Sequence, residues 1–241
     1  MNLLYISIGP DIDRTSNEER YDFELRTRFI SNYLSRRVRE LRFKTDGTFN
    51  QIHVSLVEDC PGPSAIRGLD ALQVQIKYDR DRYKVVKGKP GCDYYLPLFR
   101  DGFRKAADFK HIPLDDLLGL LEEFGGGGCK NEWLHKKKDF KDSGVSIALN
   151  CYFTTNHFRL VATIEQLSTK ARLCSGVLLE TDPDEVCFQG TFKDILIDGD
   201  KVIITDAGDS PEFLIDLDSA LSGSLRFERV NHTDEKLDGM A

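Results

Sequence analysis

"GVSIALNCYFTTNHFRLVATIEQL", residues 144–167, alternates apolar and polar side chains on either side of a short polar break. Period-two alternation marks half-buried strands. With Thr155–Asn156 at the turn, the two strands fold back as a hairpin. In that register Phe153 faces Phe158, Cys151 faces Leu160, Leu149 faces Ala162 and Ile147 faces Ile164. All four pairs are apolar, and a slip of one residue would turn every one of them toward water. The opposite face carries Ser146, Asn150, Tyr152, His157, Arg159, Thr163 and Glu165.

Downstream the same signal recurs in "RLCSGVLLET", "EVCFQGTFKDILI", "KVIITD", "EFLIDL" and "SLRFERV". Short polar turns separate these runs, which predicts an antiparallel β-meander over 144–230. In "ILIDGDKVII" (195–204) a turn at Gly199–Asp200 pairs Ile197 with Val202, Leu196 with Ile203 and Ile195 with Ile204. Glycine first in a two-residue turn suits type II′.

Upstream, residues 1–124 read as a mixed α/β half. Strands are expected at 3–8, 52–58 and 72–78, and a short one in "RYKVVKG" (82–88). Ser16 or Asn17 caps a long amphipathic helix with Phe23, Ile30, Leu34, Val38 and Leu41 on its apolar face. Its arginines Arg26, Arg36, Arg37 and Arg39 are expected on the wet face. Two further helices fall at 98–110 and 113–124. Residues 125–143 read as a Gly-rich hinge and connector, and 231–241 as a disordered tail. The fold class is therefore α+β.

The glycine run "EEFGGGGCKNEW" (122–133) invites comparison with a phosphate-binding loop. Such a loop needs a strand before it and Gly-Lys-Ser/Thr at its end. Here a helical pattern precedes it, Lys130 follows Cys129, and Asn131 stands where a hydroxyl would hold magnesium. The run reads instead as a helix stop, with Gly125 just past the C-terminus in the left-handed region. Cys129/His135 and Cys151/His157 share one spacing, but the hairpin register points Cys151 inward and His157 outward. They cannot share a zinc ion. "DGD" at 198–200 lacks the alternating ligands of a calcium loop. The Asp-x-Lys pairs in "ADFKH" (107–111) and "KDFKD" (138–142) read as surface charge. No cofactor or metal is expected.

The six cysteines (Cys60, Cys92, Cys129, Cys151, Cys174 and Cys187) show no tight spacing and no export signal precedes them, so they read as reduced thiols in a cytoplasmic protein. No apolar run is long enough for a membrane span. The net charge of −7 is uneven: residues 14–44 carry nine Lys/Arg against five Asp/Glu, whereas residues 180–241 carry five against sixteen. An acidic C-terminal part repels nucleic acid and attracts basic partners. Lys136, Lys137 and Lys138, beside His135 and Trp133, form a small basic run diluted by Glu132, Asp139 and Asp142.

The meander brings Asp182, Asp184, Glu185, Asp206 and Asp209 to one end of the sheet and Asp198 to the other. The expected function is an acidic protein-binding module, an inhibitor of a basic protein in the manner of a bacterial immunity protein. The alternative is a cytosolic, hydrolase-like enzyme with a Cys/His or carboxylate site between the two halves.

Overall fold

The computed structural model describes residues 1–230 apart from positions 60, 69, 88 and 90. The expected disordered tail at 231–241 and the Cys60 thiol lie outside the described residues. Two compact units are present: residues 1–131 with 154–156, and residues 132–153 with 157–230 among those described.

The first unit is built on a four-stranded sheet of order β1-β2-β4-β3, from β1 (Tyr5–Pro10), β2 (Gln51–Val57), β3 (Ala65–Arg67) and β4 (Ala71–Lys77). β1, β2 and β4 run parallel, and β3 is an antiparallel edge. Alternate residues on one face, Ile6, Ile8, Ile52, Val54, Leu56, Leu72, Val74 and Ile76, are all buried. Each such side chain withdrawn from water contributes about 1.5–3 kcal/mol. α1 (Asn17–Leu41) packs on β1, and α3 (Tyr95–Phe109) packs on β2 and β4. Gly102 permits that second approach, because a Cβ there would lie 2.4 Å from Val54 Cγ2. The Ser16 hydroxyl accepts the Glu19 amide and starts α1, a cap of about 1 kcal/mol.

The α1 arginines are not a free wet face. Arg39 Nε donates to Leu4 O at 3.1 Å and its guanidinium lies over the Tyr5 ring. Arg37 pairs with Glu40 and Glu123, and Arg36 donates to Asn131 at 2.6 Å. Just inside them, the Ser35 hydroxyl accepts from Ile6 N at 2.9 Å and donates to Ile6 O at 3.3 Å.

Several expectations change. "RYKVVKG" is not a strand: α2 (Arg80–Val86) forms there, because Asp79 caps it by accepting the Arg82 amide and only Tyr83 turns inward. α4 (Leu114–Gly126) ends in the glycine run as expected, but Gly125 lies inside the helix. The left-handed residues are Gly128 (φ 75) and Cys129 (φ 59), so the reversal comes three residues later. Cys92 and Cys129 are joined by a disulfide, Cα–Cα 6.1 Å, which corrects the reading of six reduced thiols. A separation of 37 residues gives no hint of this approach in space. Cys151 and Cys174 are buried thiols and Cys187 an exposed one.

The second unit is antiparallel, as read, but it is not one meander. One sheet has the order β5-β6-β7-β8, from β5 (Asn131–Phe140), β6 (Val145–Phe153), β7 (Phe158–Gln166) and β8 (Arg172–Thr181). The other has the order β12-β11-β10-β9, from β9 (Asp194–Asp198), β10 (Lys201–Thr205), β11 (Pro211–Asp216) and β12 (Phe227–Arg229), with α5 (Leu217–Leu221) between the last two strands. β5 occupies most of the segment read as connector. Its mostly polar, half-exposed residues give no inward apolar row to read.

The β6–β7 pairs are Phe153↔Phe158, Cys151↔Leu160, Leu149↔Ala162 and Ile147↔Ile164. β9 and β10 pair Ile197↔Val202, Leu196↔Ile203 and Ile195↔Ile204. Gly199 has φ 57, and Asp200 is not left-handed, which fits the type II′ turn. The break between the sheets falls at residues 182–193. There Phe188 stacks on Phe158 at 3.6 Å between centroids, and Phe192 lies parallel to the same ring at 5.8 Å.

Candidate functional site

Two constellations carry polar chemistry, one in each unit. In the second unit, β8 leads into a single 3₁₀ turn, Glu185–Cys187, which starts where the Asp184 carboxylate accepts the Val186 amide at 3.0 Å. Asp184 is only 6% exposed. Between β10 and β11, Asp206 Oδ1 accepts from Gly208 N and from Ser210 N, both at 2.8 Å. Asp209, left-handed at φ 66, forms an ion pair with Lys193 at 2.8 Å. The loops are tied together by Ala207 N donating to Gly190 O at 2.8 Å and by Lys193 N donating to Thr205 O at 2.6 Å.

The structure thus brings the 184–193 segment and the 206–210 turn side by side. Asp182 and Asp209 are exposed, and Glu185 and Asp206 half-buried. Asp184 and Asp206 are turned to the backbone as caps, and such short acidic side chains stabilise turns by this means. Asp198 lies at the other end of the β9–β10 hairpin, beside Gly199–Asp200.

The sequence reading missed Val186. It is 81% exposed at the apex of the 3₁₀ turn, next to the exposed Cys187. An apolar residue in "DPDEVCF", flanked by acids and a proline, was the available signal. Residues 132–230 carry seventeen Asp/Glu against eleven Lys/Arg, so this tip stands on an acidic body. The basic run of β5 is compensated: Lys136 and Lys138 both reach Asp194, at 3.3 and 2.7 Å, and Lys137 reaches Glu165 at 3.1 Å. The Lys138 hydrogen bond holds the Asp194 carboxyl down at about 2. Burial lowers the His135 imidazole, whose ring sits edge-on to Phe192 at 4.7 Å.

In the first unit the carboxyl ends of β1, β2 and β4 carry the second constellation. Asp11, 4% exposed, accepts from Ser55 Oγ and Gln75 Nε2, both at 3.1 Å, and from the Asp13 amide at 3.0 Å. Gln75 also accepts the Gly62 amide at 2.7 Å, and Lys105 Nζ donates to Gly62 O and Gln75 O. Further along the same sheet face, Gln51 Nε2 donates to Ser7 Oγ at 2.7 Å, and Ser7 lies 2.8 Å from His53 Nδ1. Burial drives His53 down to about 4, only partly offset by the Asp11 charge. Its imidazole is neutral near pH 7 and a weak base.

Beyond the strand ends, Arg80 is held by both oxygens of Glu19 and by Glu58 Oε1 at 3.1 Å. Two clefts adjoin there, of about 470 and 560 Å³, both bordered by Glu58 and Tyr78. Arg14, Thr15 and Asp59 line one, and Lys77, Asp79 and Arg80 the other. Burial, followed by the charges of Glu19 and Glu58, pushes the Tyr78 phenol up to about 12.

Among the described residues no group of three or more His, Cys, Asp or Glu side chains is arranged to hold a metal ion. No described helix is long and apolar enough to cross a membrane. Comparison with protein-family models, with curated proteins and with solved structures finds no match to this chain.

Proposed function

We propose that this chain is a non-enzymatic protein-binding module whose acidic loops engage a basic protein, acting as an inhibitor in the manner of a bacterial immunity protein. One observation carries the reading: Val186 stands 81% exposed on a turn anchored from below by Asp184 and the Phe188–Phe158 stack. An apolar anchor on a fixed turn, with Asp182 and Glu185 beside it in the chain and Asp209 on the loop that Ala207 N ties to Gly190 O, has the composition of an interface centre with a charged border. The charges steer a basic partner, and the valine contributes the buried contact. A cytoplasmic setting belongs to the same proposal. The Cys92–Cys129 bond weighs against it, because disulfides persist mainly in oxidising compartments.

The test is a pull-down from the source cell at low and high salt, followed by association kinetics with the captured protein. Asp184 and Asp206 are left intact because they hold the turns. The variant Asp182→Asn/Glu185→Gln/Asp209→Asn should slow association about tenfold at low salt. Val186→Ser should speed dissociation, and Asp198→Asn should change neither rate. An unchanged association rate and salt dependence in the triple variant would refute the proposal.

A further inference from the structure

The clefts at the carboxyl ends of β2 and β4 are independent of the acidic tip. We propose that they form a binding site for a small, neutral, polyhydroxylated molecule of the sugar class, with the Tyr78 hydroxyl as its central donor. Tyr78 is only 5% exposed, yet it borders both clefts. Its ring is fixed edge-on against Phe23 at 6.2 Å. Its hydroxyl has no hydrogen-bond partner among the described residues, whereas the neighbouring Tyr83 donates to Asp22 at 2.8 Å and Tyr94 to Asp79 O at 2.9 Å. A buried phenol normally finds a partner. One on a residue that borders two clefts is placed to find it in a ligand.

The lining selects the ligand's charge. Donors and acceptors are mixed in the lining: Arg14, Thr15, Glu58 and Asp59 border one cleft, and Glu58 and Arg80 border the other. An anion such as phosphate would meet Glu58, Asp59 and Asp79. A cation would meet Arg14 and Arg80, and would offer the phenol no acceptor. Hydroxyl groups satisfy both sets, donating to a carboxylate and accepting from the phenol or guanidinium. Glu58 is also pre-oriented, since Arg80 holds its Oε1 while Glu19 holds Arg80. The position agrees with the general habit of parallel sheets, which bind ligands outside the carboxyl ends of their strands.

Saturation-transfer NMR on the full chain tests this with D-ribose, D-glucose and myo-inositol as probes, against inorganic phosphate and L-alanine. At least one polyol should give saturable transfer, and phosphate and alanine should give less. Tyr78→Phe keeps the ring packing and removes only the hydroxyl, so it should weaken the polyol about two- to tenfold, the worth of one hydrogen bond. Glu58→Gln, at a half-exposed position, should weaken it similarly. Urea midpoints equal to the parent's would show that both variants fold. Absence of saturable binding by all three polyols, undiminished binding in folded Tyr78→Phe, or tighter binding of phosphate or alanine would each overturn the proposal.

Discussion

Reducing the Cys92–Cys129 bond opens a covalent loop of 37 residues that contains all of α3 and α4. In the unfolded chain that closure removes conformational freedom. The chain-entropy relation for this loop length gives about 13 cal/mol/K, or about 4 kcal/mol at 25 °C. Cys92 is completely buried, so its reduced thiol stays in an apolar setting and adds only a small loss of packing. With a urea dependence of about 2 kcal/mol per molar, the unfolding midpoint should fall by about 2 M. The assay is urea unfolding followed by tyrosine fluorescence, since Tyr33, Tyr78, Tyr83 and Tyr95 are buried in this unit. It is run with and without a phosphine reductant, on the parent and on Cys92→Ala/Cys129→Ser. Reductant should lower the parent's midpoint to that of the double variant and leave the variant unmoved. An equal parent midpoint in both conditions, with alkylation showing both thiols freed, would refute the loop-closure reasoning.

Two further outcomes are expected. Leu149→Asp places a charge at a fully buried position of the β6–β7 pair and should cost several kcal/mol, seen as lost cooperative unfolding or precipitation. The adjacent Asn150→Asp, half-buried on the other face, should stay within about 1 kcal/mol of the parent. For His53, burial lowers the folded-state pKa from 6.5 to about 4, so between those values the unfolded chain binds more protons than the folded one. This contribution is whole above pH 6.5, is lost as pH falls from about 6.5 toward 4, and changes no further below that. The melting temperature of His53→Gln should fall less than the parent's across that window, and parallel curves would contradict the assignment.

Both hairpin registers were legible in the sequence because their information is local. Four apolar pairs around a short turn leave no competing alignment for Ile147–Ile164, and Gly199 pins the second turn. The parallel pairing of β1, β2 and β4 was not legible as such, since nothing in "IHVSLVE" names its neighbour. α2 was misread because Val85 and Val86 suggested a strand, while the deciding feature was a single Asp79 cap. β5 escaped for the opposite reason, a strand of lysines whose charges are answered by Asp194 and Glu165 from distant positions. Of the acidic candidates, the sequence placed two loops together but could not separate the carboxylates that face water from Asp184 and Asp206, which hold their own turns. Tyr78 is an ordinary strand-end aromatic in the sequence. That its hydroxyl has no hydrogen-bond partner among the described residues is visible only in three dimensions.

Ser35 has a consequence for assembly. The residue whose amide and carbonyl it occupies, Ile6, lies in β1, the outermost strand of the parallel sheet. Arg39 takes the Leu4 carbonyl just before the strand, and Pro10 has no amide to offer. A foreign strand arriving along β1 would therefore find the amide and carbonyl of Ile6 already engaged by a helix. Such exposed edges are where sheets template one another into aggregates. The opposite margin, β3, is only three residues long, which leaves little edge there for strand addition.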